Sequence, residues 1–499
     1  MKFLSGMNPA LRNIIICVAT FITVATLCIA ALILSANVDP DTIINSIRRD
    51  ALALEQRGDY PIVISQQRED ALISFAMPKY RYDGFTDGIM LLQSIPNRNL
   101  NALENAVRAP YHAIGDGTPG GDGTGGISPT QALLEYTADP LNSEQNRSYV
   151  LYWHGYVVPL RILLSFMSPT NIITLNIVVF LLLAILVFEA FRRTGGWTYG
   201  IGFILALLVT FAWITPMGFQ FYTAFLLAFL ATLVLWWLLQ SKHGRRLIMP
   251  FFLALGMLTA FFDFLTTPLL TFLLPLVLYI LWITKKGRSA SIPSLIAKGA
   301  AWLVGYAGFW AMKWVMTAIV YSAVYANSEF GYAIAQRSGS ADGGLMYRFN
   351  AIYNNLYQLL SLAPDGSIFP GPFFMIFFVS LAALAMLWWM LVKRSNTSMT
   401  QAKHALPMLL VATGPYVWYF VLAQHSTFHS WMTYRLQIAS VLALIFFVLL
   451  SVDWAQFGKK ETVASEAVSV EEKTSSKARL KGESQPKLDD KSKDGDFNV

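Results

Sequence analysis

The chain has 499 residues, of which 55% are hydrophobic and only 13% charged, and its formal net charge is +7. A soluble domain averages about 25% charged residues, so a soluble enzyme is excluded. Uncharged stretches such as 172–187 and 219–239 approach the roughly 20 apolar residues that cross a bilayer. Nor does the excess of base point to nucleic acid. It sits in short clusters between apolar runs, where the bias of Lys and Arg toward the inner side of a membrane explains it.

The first apolar run, 13–35, follows Lys2 and Arg12. A secretory leader has a shorter core of about 7–15 residues, and Leu34-Ser35-Ala36 is a poor cleavage site. The run therefore reads as an uncleaved span with its N-terminus in the cytoplasm. Cys17 and Cys28 both fall within it and form neither a disulfide framework nor a metal spacing. Residues 36–168 form a large first outer loop, opening with helical patterning over 42–56. The glycine-rich stretch 115–126 lacks the Gly-Lys-Ser/Thr ending of a phosphate-cradling loop and reads as a flexible insertion. Residues 149–167 mix aromatics with His154, Pro159 and Arg161, which suggests a helix lying at the interface.

Further spans are predicted near 169–191, 197–215, 218–239, 247–264, 268–284, 296–322, 369–392, 405–424 and 432–454. Arg192-Arg193, Lys242 with Arg245-Arg246, Lys285-Lys286 with Arg288, and Lys393-Arg394 with Lys403 then all fall in inner loops. Asp263-Phe264-Leu265-Thr266-Thr267-Pro268 interrupts a run too long for one span. Proline removes a donor and disfavours helix before it, so a tight outer turn is expected, a continuous kinked helix being the alternative. A second large outer loop covers 323–368, and the polar, Lys/Glu/Ser-rich residues 456–499 read as a disordered cytoplasmic tail. No repeat of 20–50 residues is evident. The expected architecture is an all-α polytopic membrane protein. It has about ten transmembrane helices in a body spanning 1–455, a large α-containing first extracytoplasmic loop, and both termini inside.

Once this topology is drawn, the chemistry-bearing residues fall on one side. Arg81-Tyr82-Asp83-Gly84-Phe85-Thr86-Asp87-Gly88 offers two carboxylates that could act as a base or hold a divalent ion, or could simply form Asp-Gly turns. Tyr152-Trp153-His154-Gly155-Tyr156 with Arg161 combines aromatics with a guanidinium able to fork onto a phosphate; interface packing is the plainer reading of the aromatics. Asp263 at the break is an acid at costly depth, or a helix cap. His425 and His429 are four apart, one face of a helix, with Arg435 close behind. No third metal ligand accompanies them, so contact with an anion is the better reading, against a polar cap with Arg435 snorkelling.

This arrangement resembles the GT-C superfamily of integral-membrane glycosyltransferases, with many spans, a large first outer loop bearing an acid, and an interfacial helix. The segments around Thr86-Asp87, Tyr152 to Tyr156, Asp263 to Pro268 and His425 to Arg435 look like those of bacterial membrane proteins of this type. The resemblance implies a polyprenyl-phosphate-linked sugar as donor, a cell-envelope glycan or protein as acceptor, and an extracytoplasmic site in the cell membrane. Asp87, with Asp83 as the alternative, would deprotonate the acceptor. Arg435, Arg161, His425 and His429 would neutralise the departing phosphate, and His154 and Asp263 would line the substrate. No cofactor is assigned. If a divalent ion takes part, Asp83 and Asp87 are the oxygen ligands expected for it. A transporter or flippase for a lipid carrier is the second reading, prompted by Lys313 inside a span. A non-catalytic scaffold is the third and needs no convergence of polar groups.

Overall fold

The computed structural model describes residues 8–59, 83–114, 128–263, 265–337, 344–360, 370–395, 397 and 399–455. The glycine-rich stretch 115–126, the tail 456–499, and Arg81 and Tyr82 of the first motif lie outside them. The described chain is almost wholly helical. Its sheet is one antiparallel pair of two-residue strands, Pro110–Tyr111 against Arg147–Ser148. Among the described residues, five helices are long and apolar enough to cross a membrane: Leu11–Ser35, Pro169–Gly195, Phe219–Leu239, Ile292–Val320 and Ser430–Ser451. Trp197–Val209, Ile248–Phe262 and Leu270–Thr284 are apolar but shorter. Helix also occupies two further predicted runs, as Pro370–Arg394 and Pro407–Val421. Helices suit such sequences because each backbone donor finds its acceptor within the same segment, which hydrocarbon cannot supply.

Burial sorts these helices. The apolar window of Ser430–Ser451 is 72% buried and that of Phe219–Leu239 56%, against 33% for Pro169–Gly195 and 11% for Leu11–Ser35. The first two are therefore central and the others peripheral. The 248–262 and 292–320 helices meet backbone to backbone. A Cβ on Gly256 would lie 1.9 Å from the Trp302 carbonyl oxygen, and one on Gly305 2.1 Å from that of Leu253. Close approach at small residues is a main source of packing between helices in lipid.

Cations meet aromatic rings at both ends of the bundle, but the basic clusters between helices gather at one. There Arg193 lies over Trp236 at 6.0 Å, Arg245 and Lys286 over Trp282 at 5.6 and 3.6 Å, and Lys285 over Tyr199 at 4.6 Å. At the other, short loop helices are capped by their own sequence. Asp39 accepts from the Thr42 amide ahead of Pro40–Arg57, and Asn101 and Glu104 form a reciprocal capping box for Ala102–Arg108.

The 149–167 segment departs from the expected interfacial helix. Helix covers only Val157–Leu164, and the residues before it form a buried wedge. Trp153 Nε1 donates to the Phe309 carbonyl at 2.7 Å, and its ring stacks on Phe309 at 4.8 Å. The Gly155 amide donates to the Phe261 carbonyl at 2.8 Å, and a Cβ at Gly155 would lie 2.3 Å from the Phe261 ring. These bonds to two helices, made possible by a missing side chain, hold the aromatics inside the protein. Lys313 belongs to the same junction. Its buried Nζ donates to the Val107 carbonyl at 2.6 Å, in the last turn of Ala102–Arg108, where a cation complements the helix dipole. A cation within an apolar helix thus fastens the loop to the body.

Candidate functional site

The Ile248–Phe262 helix stops at Asp263, and Leu270 begins the next. Between them Leu265 adopts φ 70°, a left-handed conformation uncommon outside glycine. His425, in the short helix Ala423–Phe428, holds this turn: its Nε2 donates to the Leu265 carbonyl at 2.9 Å. Its Nδ1 is then the acceptor that faces Arg337 Nη1 at 3.4 Å. Burial holds the His425 imidazole well below its ordinary pKa, as this neutral tautomer requires. The His429 ring lies 4.7 Å away, centroid to centroid. Burial, and then the nearby Arg337 charge, push His429 down to about 4.

Arg337 ends the Ala323–Arg337 helix. Its guanidinium lies 5.4 Å from the Tyr152 ring centroid and bonds the Tyr149 side chain. Tyr152 and Tyr306 both feel the charges of Arg337 and of Asp263. Asp263 is buried. The amides of Leu265, Thr266 and Thr267 and the Thr266 hydroxyl polarise its carboxylate, yet neither oxygen completes a hydrogen bond with a described residue. The same holds for the buried hydroxyls of Thr266, Thr267, Ser426 and Thr427. Buried polar groups in native proteins are nearly always paired. Here a carboxylate and four hydroxyls lie buried on the two turns joined by His425.

The other residues singled out in the sequence make bonds and ring contacts within the fold. Asp87 was expected to be the base. Its two oxygens accept from the amides of Phe219 and Gln220, each at 3.0 Å, and so cap the 219–239 helix. Burial pushes its carboxyl up to about 8 while those amides pull it down. A raised pKa suits a base, and the cavity beside Asp87 measures about 20 Å³, room for one water. Asp83 caps its own helix, Oδ1 accepting from the Thr86 amide at 2.9 Å and Oδ2 from the Thr86 hydroxyl at 2.7 Å. Among the described residues no group of three His, Cys, Asp or Glu is placed to hold a metal ion. Replacing Asp87 with alanine leaves two amides at a helix start without their charged acceptor. The expected cost is about 3 kcal/mol, read as a fall in thermal midpoint in detergent, with Asp87→Asn intermediate.

Arg161 and Arg435, expected on a phosphate, donate within the fold, mainly to backbone carbonyls. Arg161 is buried and reaches the Ser94 carbonyl (3.1 Å), the Gln93 carbonyl (3.3 Å) and the Ser35 hydroxyl (3.1 Å). It thereby ties the end of Gly84–Gln93 to the end of the first long helix. Arg435 donates to the Trp431 carbonyl at 3.2 Å and lies between the Phe221 and Tyr434 rings, at 5.3 and 4.9 Å. His154, at φ 56°, has both nitrogens engaged, Nε2 with the Tyr149 carbonyl at 2.6 Å and Nδ1 with the Tyr156 hydroxyl at 2.8 Å. It shapes the wedge that presents Tyr149 and Tyr152.

The structure therefore brings His425, His429 and the turn after Asp263 together with Arg337 and Tyr149, which the sequence did not single out. A lone arginine closing an amphipathic helix carries no motif. The one available signal was that its loop is long enough to fold back over the bundle. Both histidines are neutral when folded and protonate more readily when unfolded. Stability should therefore fall as pH drops from about 6.5 toward 4. His429→Gln should flatten that slope, measured as thermal midpoint against pH; an unchanged slope would assign the acid sensitivity elsewhere.

Compared with known proteins, the chain matches no protein-family model, no curated protein and no solved structure.

Proposed function

We propose that this chain is a multi-pass cell-membrane glycosyltransferase of about ten crossings that moves a sugar from a polyprenyl-phosphate carrier to a cell-envelope acceptor. The observation that carries this reading is the gathering, at the turn that follows Asp263, of His425 on the Leu265 carbonyl, His429 beside it, and the Arg337 guanidinium that faces His425 and meets Tyr149 and Tyr152. In this reading the cation-rich loops and both termini are cytoplasmic, and the Asp263 end is extracytoplasmic.

The reaction needs a base for the acceptor hydroxyl and a cation for the departing phosphate. Asp263 takes the hydroxyl proton as the acceptor oxygen bonds to the anomeric carbon. The bond from that carbon to the phosphate oxygen breaks, and Arg337, with His429 beside it, receives the negative charge. Such fixed charges act most strongly away from water. Tyr149, Tyr152 and Tyr306 supply flat surfaces and hydroxyls for the sugar. The test is transfer by the purified chain in liposomes, from a panel of polyprenyl-phosphate sugars to short envelope-glycan acceptors. Release of the carrier phosphate together with a glycosylated product supports the reading. Binding of the carrier with no turnover across the panel would count against it.

A further inference from the structure

At the far end of the Leu270–Thr284 helix, roughly 20 Å from Asp263 by helix rise, the chain borders an open cleft. This cavity of about 540 Å³ has Lys285, His404, Asp453 and Tyr199 on its walls and an apolar side formed by Leu449 and Leu450. That is the size of a small-molecule site. Lys285 Nζ lies 4.6 Å from the Tyr199 ring centroid. It forms no ion pair among the described residues, although Asp453 lines the same cavity. Asp453 Oδ1 accepts from the Ala455 amide at 3.1 Å. A cation and a carboxylate thus share one chamber without meeting, and a ligand bearing both charges would complement each.

We propose that this cavity binds the headgroup of a phospholipid that carries both a phosphodiester and a primary ammonium. Lys285, with His404 beside it, takes the phosphate. Asp453 takes the ammonium, whose N–H groups it can accept. The apolar wall belongs to the Ile438–Ser451 helix, along which an acyl chain can run, so a membrane lipid fits better than a soluble zwitterion. Basic pockets between membrane helices are a recurrent way of holding lipid headgroups. The carboxylate makes this one selective against purely anionic lipids. The site is separate from the Asp263 cluster and does not depend on the transferase reading.

The experiment is native mass spectrometry of the full, delipidated chain. It is titrated with phosphatidylethanolamine or phosphatidylglycerol of matched chains, and in separate arms with soluble phosphoethanolamine and inorganic phosphate. Phosphatidylethanolamine should be held about tenfold more tightly than phosphatidylglycerol, one unit of ion-pair discrimination. Lys285→Gln should weaken both lipids, and Asp453→Asn should remove the preference, weakening phosphatidylethanolamine and, if anything, strengthening phosphatidylglycerol. Lys286→Gln, whose cation lies over Trp282, should leave both unchanged. Equal retention of the two lipids by the unaltered chain, or a preference that survives Asp453→Asn, overturns the proposal. So does binding of either soluble ligand as tightly as the lipid. Should a variant fail to fold, the lipid comparison on the unaltered chain decides the matter alone.

Discussion

Asp263→Asn should lower the rate of sugar transfer by about 10²–10⁴, the range usual for removing a general base, while the protein unfolds at an unchanged or slightly higher temperature. Asparagine matches aspartate in shape. Neither carboxylate oxygen completes a hydrogen bond with a described residue, so the substitution removes a buried charge and loses only the weaker attraction of the Leu265, Thr266 and Thr267 amides. Asp87→Asn should behave in the opposite way: a lower thermal midpoint, because the 219–239 helix loses part of its cap, with turnover per folded molecule retained. Initial rates and unfolding curves on the same two preparations separate the roles. If Asp87→Asn kills turnover at full stability and Asp263→Asn leaves it intact, the base is Asp87, as the sequence suggests.

The second large effect belongs to packing. Gly305→Leu should prevent the protein from reaching its native state. The residue would place its Cβ 2.1 Å from the Leu253 carbonyl oxygen, with the Met257 amide nitrogen at 3.1 Å, and backbone cannot move aside as a side chain can. The 248–262 helix would have to shift as a unit, taking with it Asp263 and the Phe261 contact that seats Gly155. A loss above about 4 kcal/mol is expected, in the range reserved for gross overpacking. Size-exclusion of detergent-solubilised protein is the check: a native monodisperse peak for Gly305→Leu would show that the two helices are not pressed together there. Gly256→Leu, opposed by the Trp302 carbonyl oxygen at 1.9 Å, should fail in the same way.

The long apolar helices, the break at Asp263 and the collection of basic clusters at one end were legible because they rest on hydrophobicity, proline and charge, which need no knowledge of neighbours. The meeting of Asp263 with His425 was half legible. Each stood out alone, but the bond from His425 to the Leu265 carbonyl, between residues 160 apart in sequence, has no local trace. The roles of Asp87, Arg161 and Arg435 were not legible. A buried acid that caps a distant helix and one that takes a proton share the same surroundings in sequence, an aspartate among glycines and apolar residues. What separates them is whether backbone amides have already claimed the oxygens. Arg161 illustrates the same point for cations: nothing near it predicts that Ser35, Gln93 and Ser94 would converge on its guanidinium.

The contact between His425 and Leu265 also has a bearing on how the protein is made. The strained turn is synthesised 160 residues before the imidazole that holds it, an interval of roughly 10–30 s at ordinary translation speeds. Throughout that time the acid and its neighbouring hydroxyls would sit in a half-inserted chain with no partner from the last helices. Nascent chains halted before residue 425 should therefore be handled as unfinished by membrane quality control, while those carried past residue 429 should become protease-resistant around Leu265.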